Sequence, residues 1–163
     1  MRTIQFFTLI AVCAVFCGAC DTNKKKLAET PDISVFPRGE LLTGNTHFSG
    51  DAWLRYLVEK SDSLDCTVGN VTFAPGCHNN WHSHPGGQIL LCTAGEGYYQ
   101  EKGKPVQLLK PGDVVKILPD VIHWHGATPD NEFVHLAIGT QVDKGGVIWL
   151  EAVTDEEYNS FNK

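Results

Sequence analysis

The chain reads as an all-β fold, a small jelly-roll barrel with a short C-terminal helix, and three observations lead there. Roughly eight short apolar runs recur at regular spacing from Cys66 onward, the rhythm of a jelly roll. Most of the 16 glycines and 8 prolines fall between those runs, where turns need them. Helical periodicity is scarce until the last residues. At 163 residues the chain supports one domain, placed at residues 33–163.

Ordered structure opens over residues 33–42, and the turn-rich residues 45–50 lead into 51–58. That run fits a helix through Trp53, Tyr56 and Leu57 and a strand through Ala52, Leu54, Tyr56 and Val58; the β context favours the strand. Residues 66–73 alternate, Ala74, Pro75 and Gly76 turn, and 80–84 form the next strand. Residues 88–94 are apolar on both parities, so one face fills a barrel and the other needs a second sheet or a second subunit. Gly95 to Gly97 is a tight connection, and 98–101 with 106–109 form a hairpin around Gly103 and Pro105. Pro111, Gly112 and Asp113 turn into strand 114–118. Strands over 121–127, 132–139 and 147–153 follow. Thr154 has Glu157 three residues on, a capping box that starts a short helix over 155–161.

The chemistry concentrates in two histidine stretches. His82 and His84 are two apart, so in a strand both imidazoles share one face. Gln88 follows Pro85, Gly86 and Gly87, a turn able to swing it back toward those rings, and His123 begins a later strand. Three imidazoles and a carboxamide oxygen suit one divalent first-row ion rather than Cu(I). Parity points His125 and His135 into the same interior. A buried imidazole there either orients a ligand or moves a proton. His47 and His78 fall in loops and read as surface residues. Cys92 shares parity with Gln88 and Leu90 and reads as a small apolar interior residue, and Cys66 with Cys77 is a candidate disulfide.

The pattern Gly76, His82, His84, Gln88, Gly95 resembles the first motif of the cupin superfamily, with Gln where most relatives carry Glu. Gly112, Asp113, Pro119 and His123 resemble the second, with the proline one residue late and Ala127 in place of Asn. More narrowly, His82-Ser83-His84-Pro85-Gly86-Gly87-Gln88, Gly112-Asp113-Val114-Val115, His123-Trp124-His125-Gly126-Ala127, His135-Leu136-Ala137-Ile138 and the run from Val153 to Tyr158 resemble small bacterial cupins related to cupin-type hydroxynitrile lyases. They also resemble the cupin partners of carboxymuconolactone decarboxylase-like proteins. The resemblance implies a jelly-roll enzyme with manganese held by His82, His84, Gln88 and His123, iron, nickel or zinc being alternatives. It implies His125 and His135 as the residues lining a cyanohydrin pocket, a small-molecule substrate and a homodimer. In that reaction a histidine takes the hydroxyl proton as the carbon–carbon bond breaks. A metal-dependent dioxygenase and a non-catalytic ligand-binding cupin are the alternatives. Gln88 weighs against the first, since three imidazoles and an amide are all neutral and leave the full +2 on the ion, which resists oxidation.

Charge and leader narrow the setting. A net charge of −6, a pI near 5.6 and no basic stripe argue against a nucleic-acid partner. There is no nucleophile elbow and no phosphate-binding glycine loop. Arg2, the mostly apolar 4–16 run and Cys17-Gly18-Ala19-Cys20 form a signal peptide over 1–19 that resembles a bacterial lipoprotein signal, although Cys17 stands where Leu or Val is usual; an ordinary cleavable signal or a membrane span, for which the run is short, is the alternative. Cys20 is then the lipidated residue, 20–32 a tether, and the protein an exported envelope lipoprotein that meets the membrane through its lipid alone. Removing Arg2 with the signal takes the charge from −6 to −7.

Overall fold

The structure is a computed structural model that describes residues 33–162. The signal over 1–19, Cys20 and the tether over 20–32 lie outside the described residues. Eleven strands form: β1 (Glu40–Leu41), β2 (Ala52–Val58), β3 (Cys66–Phe73), β4 (His82–Ser83), β5 (Gln88–Gly95), β6 (Gly97–Glu101), β7 (Gln107–Leu109), β8 (Val114–Ile117), β9 (His123–Ala127), β10 (Phe133–Thr140) and β11 (Ile148–Trp149). They pair antiparallel in a six-stranded sheet, β1-β2-β3-β10-β5-β8, and a five-stranded sheet, β11-β4-β9-β6-β7. This is the all-β jelly roll with its short C-terminal helix, α1 (Asp155–Tyr158).

Alternation along each strand decides what faces inward. On β5 the residues Gln88, Leu90 and Cys92 are buried, while Ile89 and Leu91 between them are half-buried. Inward-facing Val71, Phe73, Leu90, Cys92, Tyr99, Ala127 and Phe133 form one core. A second cluster, Trp81, Tyr98, Trp124, Val153 and Tyr158, packs separately from it. There Tyr158 donates its hydroxyl to the Ala127 carbonyl at 2.8 Å, tying α1 to β9. The Thr154 and Glu157 capping box forms as the sequence implies.

The structure shortens three expected elements and corrects the reading of four residues. The strand expected over 80–84 shrinks to His82–Ser83, because the Asn80 and Trp81 amides donate to loop carbonyls of His47 and Glu151 and Pro85 disfavours a longer ladder. The strand over 147–153 shrinks to Ile148–Trp149. The helix over 155–161 is one α-turn followed by a 3-10 turn at Asn159–Asn162. There Asn159 Nδ2 and Ser160 Oγ donate to the Asp155 and Glu157 carbonyls that a longer helix would use. Cys66 and Cys77 are free thiols, as is Cys92. Cys66 starts an eight-residue strand and Cys77 lies beyond its other end, about 20 Å away, far outside disulfide reach. His78 is buried, stacked on Tyr158 with ring centroids 4.7 Å apart, and His47 is half-buried, stacked on Trp149 at 4.5 Å.

Candidate metal centre

Backbone register assembles the site. His82 on β4 pairs directly with His123 on β9, and Trp149 on β11 pairs with His82 on the other side. After His84 the chain reverses through Pro85-Gly86-Gly87, closed by a Gly87 N–H to His84 carbonyl bond of 3.0 Å. Gly86 is required here: a Cβ would stand 1.9 Å from the Thr140 carbonyl oxygen. The turn delivers Gln88 to the facing sheet, with its Oε1 3.2 Å from His123 Nε2. Ring centroids lie 4.1 Å apart for His82 and His123, 5.2 Å for His82 and His84, and 5.7 Å for His84 and His123.

Hydrogen bonds decide which nitrogens are available. His82 Nδ1–H donates to the Asn80 carbonyl and His123 Nδ1–H to the Val121 carbonyl, each at 2.9 Å. Both Nε2 atoms are thereby left as lone pairs. His84 Nε2 is buried with no partner among the described residues. With Gln88 Oε1 turned to His123 Nε2, two acceptors face each other, an arrangement that a cation between them would favour over the turned amide, whose NH2 would donate to the ring. The donor set fits a divalent ion.

Ring-nitrogen distance alone groups His82, His123 and His125, within 4.8 Å of one another. His125, however, has its Nε2 engaged by Asn79 Nδ2 at 3.1 Å, whereas His84 Nε2 has nothing. An Nε2 with no partner beside His82 and His123 favours His84 over His125, whose Nε2 is taken by Asn79, as the ring that joins His82, Gln88 and His123. His135 lies deeper, 0% exposed, stacked between Phe133 (4.8 Å) and Phe73 (5.6 Å) and edge-on to His125 at 4.8 Å. Neither of its ring nitrogens has a partner among the described residues.

Burial keeps all these rings neutral. It lowers His84 and His123 to about 4 and His135 to about 3. His82 and His125 fall well below the usual histidine value, again through burial first and neighbouring rings second. The Glu101 carboxylate, paired with Lys104, partly offsets this at His123. Burial pushes the Cys77 and Cys92 thiols up to about 11 and about 12, so neither is a thiolate nucleophile at neutral pH. A cavity of about 340 Å³ reaches the site. His82, His84, Gln88 and His125 line it together with Phe48, Leu54, Phe73 and Trp149, and Tyr56 and Lys60 bring the lining to the exposed surface. Sequence reading missed Asn79, Glu101 and Trp149. Their partners come from other strands, and no spacing rule links Asn79 to a histidine 46 residues away.

A cupin domain model matches residues 69–139. The chain is 43% identical over 111 residues to an (R)-mandelonitrile lyase of Granulicella tundricola, covering 68% of this chain and 85% of that protein. The chain belongs to the cupin superfamily. Among solved cupins, a cupin-like protein of Thermotoga maritima is 50% identical with a TM-score of 0.73, covering 77% of this chain and 94% of that one. The DMSP lyase DddQ of Ruegeria pomeroyi shares the cupin fold at 21% identity and a TM-score of 0.55, over 67% of this chain and 54% of that one.

Proposed function

We propose that this cupin is a divalent-metal-dependent enzyme for small molecules, and that its reaction is the lyase cleavage of a cyanohydrin. The observation that carries the reading is the convergence of free lone pairs. His82 and His123 keep Nε2 bare, Gln88 Oε1 lies 3.2 Å from one of them, and His84 Nε2 is buried and unpartnered beside both. These four residues would hold the ion, manganese in our reading, with iron, nickel or zinc as alternatives. Bound there, it supplies a Lewis acid that stabilises negative charge on a small oxygen- or nitrogen-bearing ligand. Similarity to the (R)-mandelonitrile lyase supports a cyanohydrin as substrate.

The chain's own residues account for the remaining steps. Phe48, Leu54, Phe73 and Trp149 offer the substrate's organic group an apolar wall. The His125 and His135 pair, neutral by burial, provides a lone pair for the hydroxyl proton. As the carbon–carbon bond breaks, its electron pair leaves with cyanide, the hydroxyl oxygen becomes a carbonyl, and the proton passes from the imidazole to cyanide. An aldehyde and hydrogen cyanide are the products.

The test is elemental analysis of protein purified without added metal, beside His82→Ala, together with ultraviolet detection of benzaldehyde released from mandelonitrile. We expect about one divalent ion per chain, its loss in the variant, and release that depends on the ion. No release after manganese is restored removes the lyase reading. Two further expectations complete the proposal. Lipid on Cys20, tested by palmitate labelling of Cys20→Ser, would tether the protein to the cell envelope. The half-buried outer parity of β5, Ile89 and Leu91, supports a homodimer, tested by light scattering.

A further inference from the structure

Asn79 and His125 are joined by three hydrogen bonds. The Asn79 backbone N–H donates to the His125 carbonyl at 3.1 Å, the His125 backbone N–H donates to Asn79 Oδ1 at 3.0 Å, and Asn79 Nδ2 lies 3.1 Å from His125 Nε2. Both residues are buried, at 3% and 4% exposed. The second bond fixes the amide's orientation. A backbone N–H only donates, so the Asn79 atom facing it is the oxygen, and the atom facing the ring is the NH2 group. An amide N–H needs an acceptor, so His125 Nε2 carries a lone pair there. In a neutral imidazole the proton must then sit on Nδ1.

We propose that Asn79 is a positioning residue that holds His125 as the Nδ1–H tautomer, so that His125 meets a bound small molecule as a hydrogen-bond donor. His125 Nδ1 is buried with no partner among the described residues, and so are both ring nitrogens of His135 4.8 Å away, centroid to centroid. A buried N–H left unpaired is unfavourable, and an oxygen or nitrogen atom of a ligand in the adjoining cavity relieves it. His125 lines that cavity. The tautomer follows from the geometry alone; what His125 does to a bound cyanohydrin rests on the lyase reading above.

The test is a two-bond proton–nitrogen correlation spectrum of ¹⁵N-labelled protein loaded with diamagnetic Zn²⁺. We expect His125 with Nδ1 protonated and Nε2 bare. Asn79→Asp keeps an oxygen for the His125 backbone N–H but presents a second oxygen to the ring, and should move the proton to Nε2. With manganese and mandelonitrile the same variant should lose about tenfold or more in kcat with KM nearly unchanged. A wild-type spectrum with the proton on Nε2, or an Asp variant whose tautomer does not change, overturns the proposal; the wild-type spectrum decides even if the variant fails to fold. The expected tautomer without any cyanohydrin turnover supports the Asn79 assignment and removes only the lyase reading. Turnover with an Nε2–H His125 keeps the lyase and removes the Asn79 role.

Discussion

His82 and His123 give their Nδ1 protons to carbonyls two residues back and keep Nε2 bare, whereas His125, on the same strand as His123, has its Nε2 capped by Asn79 and keeps an unpaired N–H. All of these rings are buried and neutral, and they lie within one barrel interior. The contrast teaches that the partner of the second nitrogen, not the residue type or its depth, decides whether an imidazole serves as a metal ligand or as a donor. In His82 and His123 a backbone carbonyl takes the Nδ1 proton and leaves Nε2 open to an ion. In His125 an amide NH2 turns the ring into a hydrogen-bond donor.

The largest effects expected come from crossing that line. His123→Ala should lower bound metal by at least about tenfold, while His125→Ala should retain it; equal losses, read by elemental analysis, would break the distinction between the two rings. Next, His135→Phe keeps an aromatic between Phe73 and Phe133 but removes the lone pair. Metal-dependent turnover of mandelonitrile should fall by about 10²–10⁴ at unchanged metal content, and full activity would show that His135 carries no proton.

A smaller effect concerns acid. Burial lowers His135 from the ordinary 6.5 to about 3. Above pH 6.5 the ring is neutral in both folded and unfolded chains. Between 6.5 and about 3 only the unfolded chain binds the proton, so stability falls as pH falls, by up to about 1.4 kcal/mol per pH unit. Urea unfolding of the metal-free protein at a series of pH values should show this slope, and His135→Leu should flatten it; an unchanged slope would assign the acid sensitivity to the other rings. The smallest effect lies outside the barrel. Thr154→Ala removes the α1 cap and should cost about 1 kcal/mol, with metal content unaltered, whereas any loss of metal would couple α1 to the site.

Much of this was legible beforehand. Alternation placed β2, β3, β5 and β10 within a residue or so of their ends, and a two-residue spacing put His123 and His125 on one face of β9, whereas β4 ends before His84. His78 was misjudged because its loop is covered by Tyr158 and Trp124, which arrive from α1 and β9. The proposed Cys66 and Cys77 bridge failed because nearness in sequence says nothing about opposite ends of a strand.

From the sequence alone come the alternation of faces, the turn through Pro85, Gly86 and Gly87, and the set of imidazoles that enters the barrel, since all three follow from local backbone geometry. Tertiary structure alone decides the tautomer of His125 and brings Gln88, 35 residues from His123, to the facing sheet. The deciding partner of His125 is Asn79, 46 residues away, whereas His82 and His123 are set by carbonyls two residues back, and a proton on an imidazole goes wherever its neighbours leave room for it.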